Sequence, residues 1–597
     1  MTHSVASLLA AHRARTAAPV ETIQTTFERI REVDDPAIFI SLREEAAVVR
    51  EARTLAATAD SSLPLYGIPV AIKDNIDVAG LATTAACPAY AYTPDRDAKA
   101  VQLLKAAGAL IVGKTNLDQF ATGLVGTRSP HGTPRNPLRG DLIAGGSSSG
   151  SAVAVATGIV PLALGTDTAG SGRVPAALNN IVGCKPSRGL VSTQGIVPAC
   201  RSLDCVSLFA LTAADAFAAL QAIAGPDERD PYSRRMALGA LTAPPPRLRV
   251  GVPRQNDRIF RNDGQAEAAF AAAEQVAQGL GARLVAIDLS AFFETARLLY
   301  EGPCLAERTA AVGDFIASEA QQVHPLTRQI IAGGRAYSAV DLFRCQQRLL
   351  ELRAVAASQL AKCDVLMLPS IPKPCTLAEV EADPIGINAL LGTYTNFANL
   401  LDMAGLACPV SLAADGTPYG VTFLAPAARD AELASLAVAF QVKTQLPLGA
   451  LGVRPPSWWP PAGGVRAGEI EIAVVGAHRH GMPLNHELTT LGARYLESVW
   501  TAPDYQLFLL ADAEPRKPGL LRVKVGSGAE IELETWALSA EGFGRFVASL
   551  PPPMSIGTLR LRDGRLAKGF LVEAQSVVGA RNISSYGSWP AFLAAES

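Results

Sequence analysis

Gly145-Gly-Ser147-Ser-Ser-Gly-Ser151, followed by Gly165-Thr-Asp167-Thr-Ala-Gly-Ser171-Gly-Arg173-Val-Pro175, lies in a region between about residues 120 and 200 that is crowded with Gly, Ser and Thr. That much backbone freedom disfavours ordinary helices, yet the residues between the glycines are too apolar for a linker. The combination predicts a site built from backbone. Upstream, Leu65-Tyr-Gly-Ile-Pro-Val-Ala-Ile-Lys73 alternates Ile68, Val70 and Ile72 on one face, a strand pattern that delivers Lys73 at its end. Further strands are expected at 109–112, 248–252, 365–368 and 419–423. Helical periodicity runs through 266–280, 291–321 and 340–361. Residues 1–60 also read as helices, from the spacing of Leu8, Leu9 and His12 and of Ile23, Phe27 and Ile30. Strands alternating with helices predict an α/β sheet.

The chain has 597 residues, of which 49% are hydrophobic and 18% charged, enough apolar material for a large core, and this excludes general disorder. Its 53 basic and 55 acidic residues form no long basic block, so nucleic acid is not an expected partner. The nine cysteines include no Cys-x-x-Cys, which argues against a zinc ribbon or a disulfide framework and for a reducing compartment. At the N-terminus the apolar stretch precedes the basic group His12-Arg13-Ala14-Arg15, the reverse of a secretory signal. The longest small-apolar run, 152–164, contains Gly158 and Pro161 and is too short to span a bilayer. These features predict a soluble, cytoplasmic protein with no membrane partner. Paired prolines within Val453-Arg-Pro-Pro-Ser-Trp-Trp-Pro-Pro-Ala-Gly-Gly-Val465 mark a stiff connection. The expected division is a main domain over 1–452, a linker over 453–467 and a smaller domain over 468–597.

Two pattern matches are set aside. Gly108-Ala-Leu-Ile-Val-Gly-Lys114-Thr115 satisfies the P-loop expression, but Ala-Leu-Ile-Val reads as a buried strand rather than a phosphate cradle. Gly146-Ser-Ser148-Ser-Gly150 matches a nucleophile elbow, yet no strongly apolar strand precedes it and the main body downstream offers only His324 as base. Lysine is the remaining general base. Lys73 serves only if burial lowers its pKa by several units from about 10.4, with a serine relaying the proton. The small residues Thr168, Ala169 and Gly170 before Ser171 let main-chain N–H groups approach a carbonyl as an oxyanion hole. The opposing explanation is a solvated Lys73 among Gly/Ser turns.

The tracts at 145–151 and 165–171, with Ile72-Lys-Asp-Asn75, resemble the amidase signature family over roughly residues 20–445. The resemblance implies an amidase signature fold, a mixed sheet sandwiched by helices. It also implies Ser171 as nucleophile, Ser147 as a bridging serine after a cis peptide, and Lys73 as base, with no cofactor and no metal. Ser149 stands where the family tract usually has glycine. Asn116–Pro130, which includes Gly123, and Tyr300-Glu-Gly-Pro-Cys-Leu-Ala-Glu-Arg308 look most like the allophanate hydrolase subfamily. That subfamily hydrolyses urea-1-carboxylate (allophanate) to ammonia and carbon dioxide and is linked functionally to urea carboxylase. Arg308 then offers a planar fork to a substrate carboxylate, with Tyr300 and Gly123 beside it; the plain alternative is a surface arginine and a core tyrosine.

The tail, with Val475-Gly-Ala-His478 and Pro483-Leu-Asn485, resembles the C-terminal domain of the same subfamily, a smaller α/β domain of γ-glutamyl cyclotransferase type. There His478 is expected to contact a small molecule or assist decarboxylation. His478 and His480 share a face if they lie on a strand, but no third metal ligand is evident. Glu573 reads equally as an acid/base partner or a surface residue. A homodimer is the expected assembly. Alternatives are another small-amide or lipid amidase, a component of a glutamine-dependent transamidase, and a non-catalytic interaction module.

Overall fold

The computed structural model describes residues 4–456, 465, 468–510 and 514–596. It contains an eleven-stranded mixed sheet made of β1 (Phe39–Leu42), β2 (Pro69–Lys73), β3 (Leu110–Thr115), β4 (Leu162–Asp167), β5 (Val182–Lys185), β6 (Cys205–Ala210), β7 (Arg249–Pro253), β8 (Arg283–Ile287), β9 (Val365–Pro369), β10 (Met403–Leu412) and β11 (Pro418–Pro426). The spatial order is β1-β3-β2-β4-β6-β5-β10-β11-β9-β7-β8. Strands β3, β2 and β4 run parallel, and β4, β6, β5, β10, β11 and β9 then pair antiparallel in succession. Every residue of β2, β3 and β4 is buried, as parallel strands covered on both faces require. The alternation within 65–73 therefore marks a strand whose two faces are both covered. The P-loop look-alike is the buried strand β3, as its apolar centre demands.

Three segments differ from the sequence expectation. The helices of the first 60 residues, Val5–Arg13, Pro19–Val33 and Glu45–Thr58, are interrupted by β1, which pairs antiparallel with β3. The periodic stretch 291–321 divides into Ser290–Tyr300 and Leu305–Ser318, because Gly302-Pro303 cannot continue the first helix. The Gly/Ser-rich region contains the helix Ser149–Ala156, buried along its whole length. Its small residues serve close packing: a Cβ on Gly150 would lie 2.3 Å from the carbonyl oxygen of Ile38 and 2.6 Å from the amide nitrogen of Asn116.

In the tail, β12 (Glu469–Val474), β13 (Arg494–Trp500), β16 (Glu532–Ser539), β17 (Met554–Arg560) and β18 (Leu566–Val572) form a five-stranded sheet in the order β13-β16-β12-β18-β17. Strands β14 (Tyr505–Leu509) and β15 (Pro518–Arg522) pair separately. Tyr505, Leu533, Trp589 and Phe592 belong to a core of this part. His478 and His480 lie in the turn after β12, so the shared strand face expected for them does not exist. The chain separates into two compact units, Met1–Leu238 with Arg249–Gly279 and Leu284–Ser457, and Gly239–Leu248 with Leu280–Arg283 and Trp458–Ser597. Much of the expected 453–467 linker falls outside the described residues. Among the described residues, no helix is long and apolar enough to cross a membrane.

Gly150→Ala forces a Cβ against backbone and is expected to destabilise the main unit by about 1–3 kcal/mol in urea unfolding. Gly544→Ala, on the tail helix Ala540–Ala548 with nothing within 4 Å of the new Cβ, is expected to be neutral or stabilising by up to about 1 kcal/mol.

Candidate active site

Lys73 is the last residue of β2 and is fully buried. The parallel register sets Ile72 beside Leu164 of β4, which brings Thr166 within reach two residues further on. Lys73 Nζ donates to Thr166 Oγ1 at 2.8 Å and to Ser147 Oγ at 2.7 Å. Asn75 Nδ2 also donates to Thr166 Oγ1, at 3.3 Å. Burial lowers the pKa of Lys73 to about 7, against the upward pull of Asp118, Asp167 and Asp204. A substantial neutral fraction therefore exists at neutral pH.

Ser147 follows a cis Gly146–Ser147 peptide. Its carbonyl accepts the amide of Asp118 at 3.1 Å, and the Asp118 carboxylate in turn accepts the amides of Gly126 at 3.0 Å and Arg128 at 2.9 Å. There is no room for side chains here. A Cβ on Gly146 would lie 2.1 Å, and one on Gly123 2.6 Å, from Asp118 Oδ2.

Ser171 is 3% exposed and sits in the loop after β4. That loop is clamped at its base. Arg173 donates from Nε and Nη2 to the two oxygens of Asp167 at 3.0 Å each, and Gly172 N–H adds a bond of 3.0 Å to the same carboxylate. Both members of the ion pair are fully buried. The guanidinium also reaches the Thr395 carbonyl, and Asn399 Nδ2 holds the Asp167 carbonyl at 2.8 Å. At the other side, Thr168 Oγ1 donates to Asp204, whose carboxylate accepts the amides of Ala199 and Cys200. Burial raises the Asp204 pKa to about 6 in spite of these donors. Gly170 has φ +156°, and a Cβ there would lie 2.4 Å from Thr395 Oγ1. Among the described residues, no acceptor takes the amide N–H groups of Ala169, Gly170 or Ser171. These donors are fixed by the clamp on either side of them and are free for an oxyanion.

Arg308 lies in the first turn of the helix Leu305–Ser318 and is 1% exposed, which excludes the surface-arginine explanation. Nη2 donates to Tyr300 Oη at 3.2 Å, Nη1 to Thr122 Oγ1 at 3.0 Å, and the guanidinium sits 5.1 Å from the Tyr300 ring centroid. Its Nε is buried with no hydrogen-bond partner. Its hydrogen-bond partners are both neutral, and the carboxylates of Asp204 and Glu307 act on the guanidinium only from beyond ion-pair distance. Tyr300 packs on the apolar cluster that contains Ala169, and Thr122 directly precedes Gly123. His324 caps the helix Pro325–Gly333, where its amide donates to Gln119, and it contacts neither serine.

Four further residues, Thr166, Asp118, Asp204 and Thr122, join the site without a local mark in the sequence. Thr166 stands inside the 165–171 motif, but its contact with Lys73 depends on the β2–β4 register. Asp118 and Thr122 both precede Gly123 in the segment 116–130, with no local signal of what they hold.

In the tail, His478 lines a cavity of about 660 Å³ with Glu487, His486, Lys517, Arg545 and Phe570. Its Nε2 lies 2.9 Å from Glu487 Oε2, and its ring stacks on Phe570 at 5.0 Å and meets Phe546 edge-on at 5.1 Å. Burial lowers its pKa in spite of Glu487. Glu573 is exposed and does not line this cavity. Among the described residues, no group of three or more His, Cys, Asp or Glu is placed to hold a metal.

The amidase family model matches residues 21–434, and the model of the allophanate hydrolase C-terminal domain matches residues 470–594. Urea amidolyase of Saccharomyces cerevisiae is 42% identical over 547 residues, 89% of this chain. The chain spans only 30% of that relative's length. The crystal structure of Kluyveromyces lactis allophanate hydrolase is 37% identical with a TM-score of 0.78, covering 100% of this chain and 99% of that one. The structure of native peptide amidase from Stenotrophomonas maltophilia is 29% identical with a TM-score of 0.64, covering 74% of this chain and 96% of its own.

Removing one partner of the buried pair at the base of the Ser171 loop leaves the other charge uncompensated. Asp167→Ala is expected to cost about 3–5 kcal/mol in urea unfolding of the main unit, whereas loss of an exposed partner, as in Glu32→Ala beside Arg29, is expected to cost under about 1 kcal/mol.

Proposed function

The chain belongs to the amidase family, and from that premise we propose that it hydrolyses allophanate, with Ser171 as nucleophile, Ser147 as proton relay and Lys73 as base. The observation that carries the substrate is the buried Arg308 guanidinium, which has neutral partners only and an unused Nε. A small substrate with a terminal carboxylate supplies the missing counter-charge and a planar match for the fork. Tyr300 contributes a hydroxyl at the same place, and the backbone at Gly123 lies beside it.

Neutral Lys73 accepts the Ser147 proton, and Ser147 accepts that of Ser171 as Ser171 Oγ attacks the terminal amide carbonyl. The negative charge that develops on the carbonyl oxygen is met by main-chain N–H groups of the Thr168–Ser171 loop, of which Ala169, Gly170 and Ser171 are uncommitted. The proton returns to the leaving nitrogen and ammonia departs. Water then cleaves the acyl-enzyme, giving a nitrogen that carries two carboxylates. Loss of both as carbon dioxide releases the second ammonia. The tail, acting as a separate unit beyond a connection at 453–467, assists that decarboxylation; what supports this is that His478, Lys517 and Arg545, groups suited to a small anion, line its cavity. No step needs a metal or organic cofactor. The substrate is the product of a urea-carboxylating reaction, and the working form in this reading is a cytoplasmic homodimer.

Only the neutral lysine accepts a proton, and its pKa is lowered in the fold, so activity is present above about 7 and lost below it. The value of kcat/KM for amide hydrolysis is expected to fall about tenfold per pH unit below that point, as read from an ammonia-release profile. Ammonia release from allophanate, malonamate, acetamide and glutamine tests the substrate. Arg308→Leu is expected to reduce kcat/KM on allophanate and malonamate by about 100-fold or more while changing acetamide turnover less than about fivefold. Equal losses on all substrates contradict the clamp. His478→Asn is expected to delay carbon dioxide from the dicarboxylated product without slowing the first ammonia; unchanged timing of both leaves the tail no chemical role.

A further inference from the structure

The His478 ring is held on three sides. Phe570 stacks on it at 5.0 Å with an interplanar angle of 13°, Phe546 meets it edge-on at 5.1 Å, and Glu487 Oε2 lies 2.9 Å from Nε2. The turn that carries the ring is fixed as well. Asn485 Nδ2 donates to the His478 carbonyl at 2.8 Å, the amide of Leu484 donates to the Ala477 carbonyl at 2.9 Å, and a Cβ on Gly476 would lie 2.4 Å from Pro518 Cδ. His478 Nδ1 takes no hydrogen bond among the described residues, yet it is not one of the buried unpartnered atoms. It is therefore the ring nitrogen open to the cavity that His478 lines.

An ionised carboxylate only accepts hydrogen bonds, so the nitrogen beside Glu487 carries hydrogen in both charge states of the ring. The proton that His478 gains or loses is then the one on Nδ1. We propose that Glu487 is the positioning residue of the tail: it holds Nε2–H and so directs the exchangeable proton of His478 through Nδ1 to the nitrogen of the dicarboxylated amine. This rests on the decarboxylation reading above and adds the residue that orients the acid. In the step, the Nδ1–H bond of the imidazolium breaks and its proton goes to the amine nitrogen. One C–N bond breaks, its electron pair stays on that nitrogen, and carbon dioxide leaves, with a neutral imidazole and a monocarboxylated amine behind it. Solvent then reprotonates Nδ1. The same carboxylate keeps the charged ring between two phenylalanines: burial lowers the His478 pKa, Lys517 and His486 push the same way, and Glu487 opposes them. Arg545 and Glu514 line the cavity with opposite charges.

Two measurements on the full chain test it. Carbon-13-labelled allophanate, followed by NMR, separates loss of carbon dioxide from the first amide cleavage, and long-range hydrogen–nitrogen spectra of the chain labelled at its histidine rings, assigned with His478→Asn, report which nitrogen of His478 is protonated. The neutral wild-type ring is expected to carry its hydrogen on Nε2. Glu487→Gln keeps the shape of the side chain and removes its charge. It is expected to slow carbon dioxide loss, above the uncatalysed rate, about tenfold or more, and to move the His478 titration down by about one pH unit. The imidazolium is the reactive form, so decarboxylation falls as pH rises, and the midpoint of that fall moves down with the titration. A neutral ring protonated at Nδ1, an unshifted His478 titration in Glu487→Gln, or a decarboxylation slowed by His478→Asn but not by Glu487→Gln overturns the role of Glu487 and leaves the decarboxylation reading standing. Wild-type timing of carbon dioxide in His478→Asn overturns that reading and the role of Glu487 with it.

Discussion

A lysine ammonium without water and without an adjacent carboxylate is costly, and the centre of the main unit is organised around that fact. Lys73 is fully buried between Ser147 and Thr166, and its pKa falls to about 7. The aspartates that pull the other way, Asp118, Asp167 and Asp204, are each committed elsewhere: to backbone amides, to Arg173, and to Thr168 with two amides. They stabilise the loops around the lysine without pairing with it. Lys114, on the neighbouring strand β3, is buried as well and its pKa is likewise lowered by burial, but there the Asp74 carboxylate 3.2 Å away opposes the shift directly.

Arg308 follows a similar logic with the opposite outcome. An arginine cannot lose its charge, so burying it among Tyr300, Thr122 and an unused Nε leaves an electrostatic demand in place. Ligand chemistry and fold are coupled at this point. The break at Gly302-Pro303 ends one helix at Tyr300 and starts the next at Leu305, which lets both side chains meet across one turn. The Tyr300 ring then packs on the cluster containing Ala169, joining the anion site to the loop that carries Ser171.

The α/β alternation, the strand ending at Lys73 and the two Gly/Ser tracts are all legible in local pattern. Local pattern stops where register and packing begin. Nothing in 165–171 says that Thr166 rather than Ser171 is the second partner of Lys73, because that follows from parallel pairing of Ile72 with Leu164. The helix Ser149–Ala156 is hidden for a related reason: glycine and serine there permit contact with Ile38 and Asn116, a long-range demand that outweighs their low helix propensity. The residues 239–248, which cluster with the tail, carry no sequence mark of that attachment. The spacing of His478 and His480 suggests one strand face, yet β12 ends at Val474 and the chain turns before reaching them.

The central claim is that the buried amine of Lys73 is neutral near physiological pH. Nitrogen-15 NMR of the full chain labelled at lysine Nζ, assigned by comparison with Lys73→Met, measures this directly. The account predicts one lysine resonance, absent in the variant, that titrates near pH 7 while the exposed lysines stay protonated to about 10. A Lys73 resonance that remains that of an ammonium above about pH 9 would contradict it.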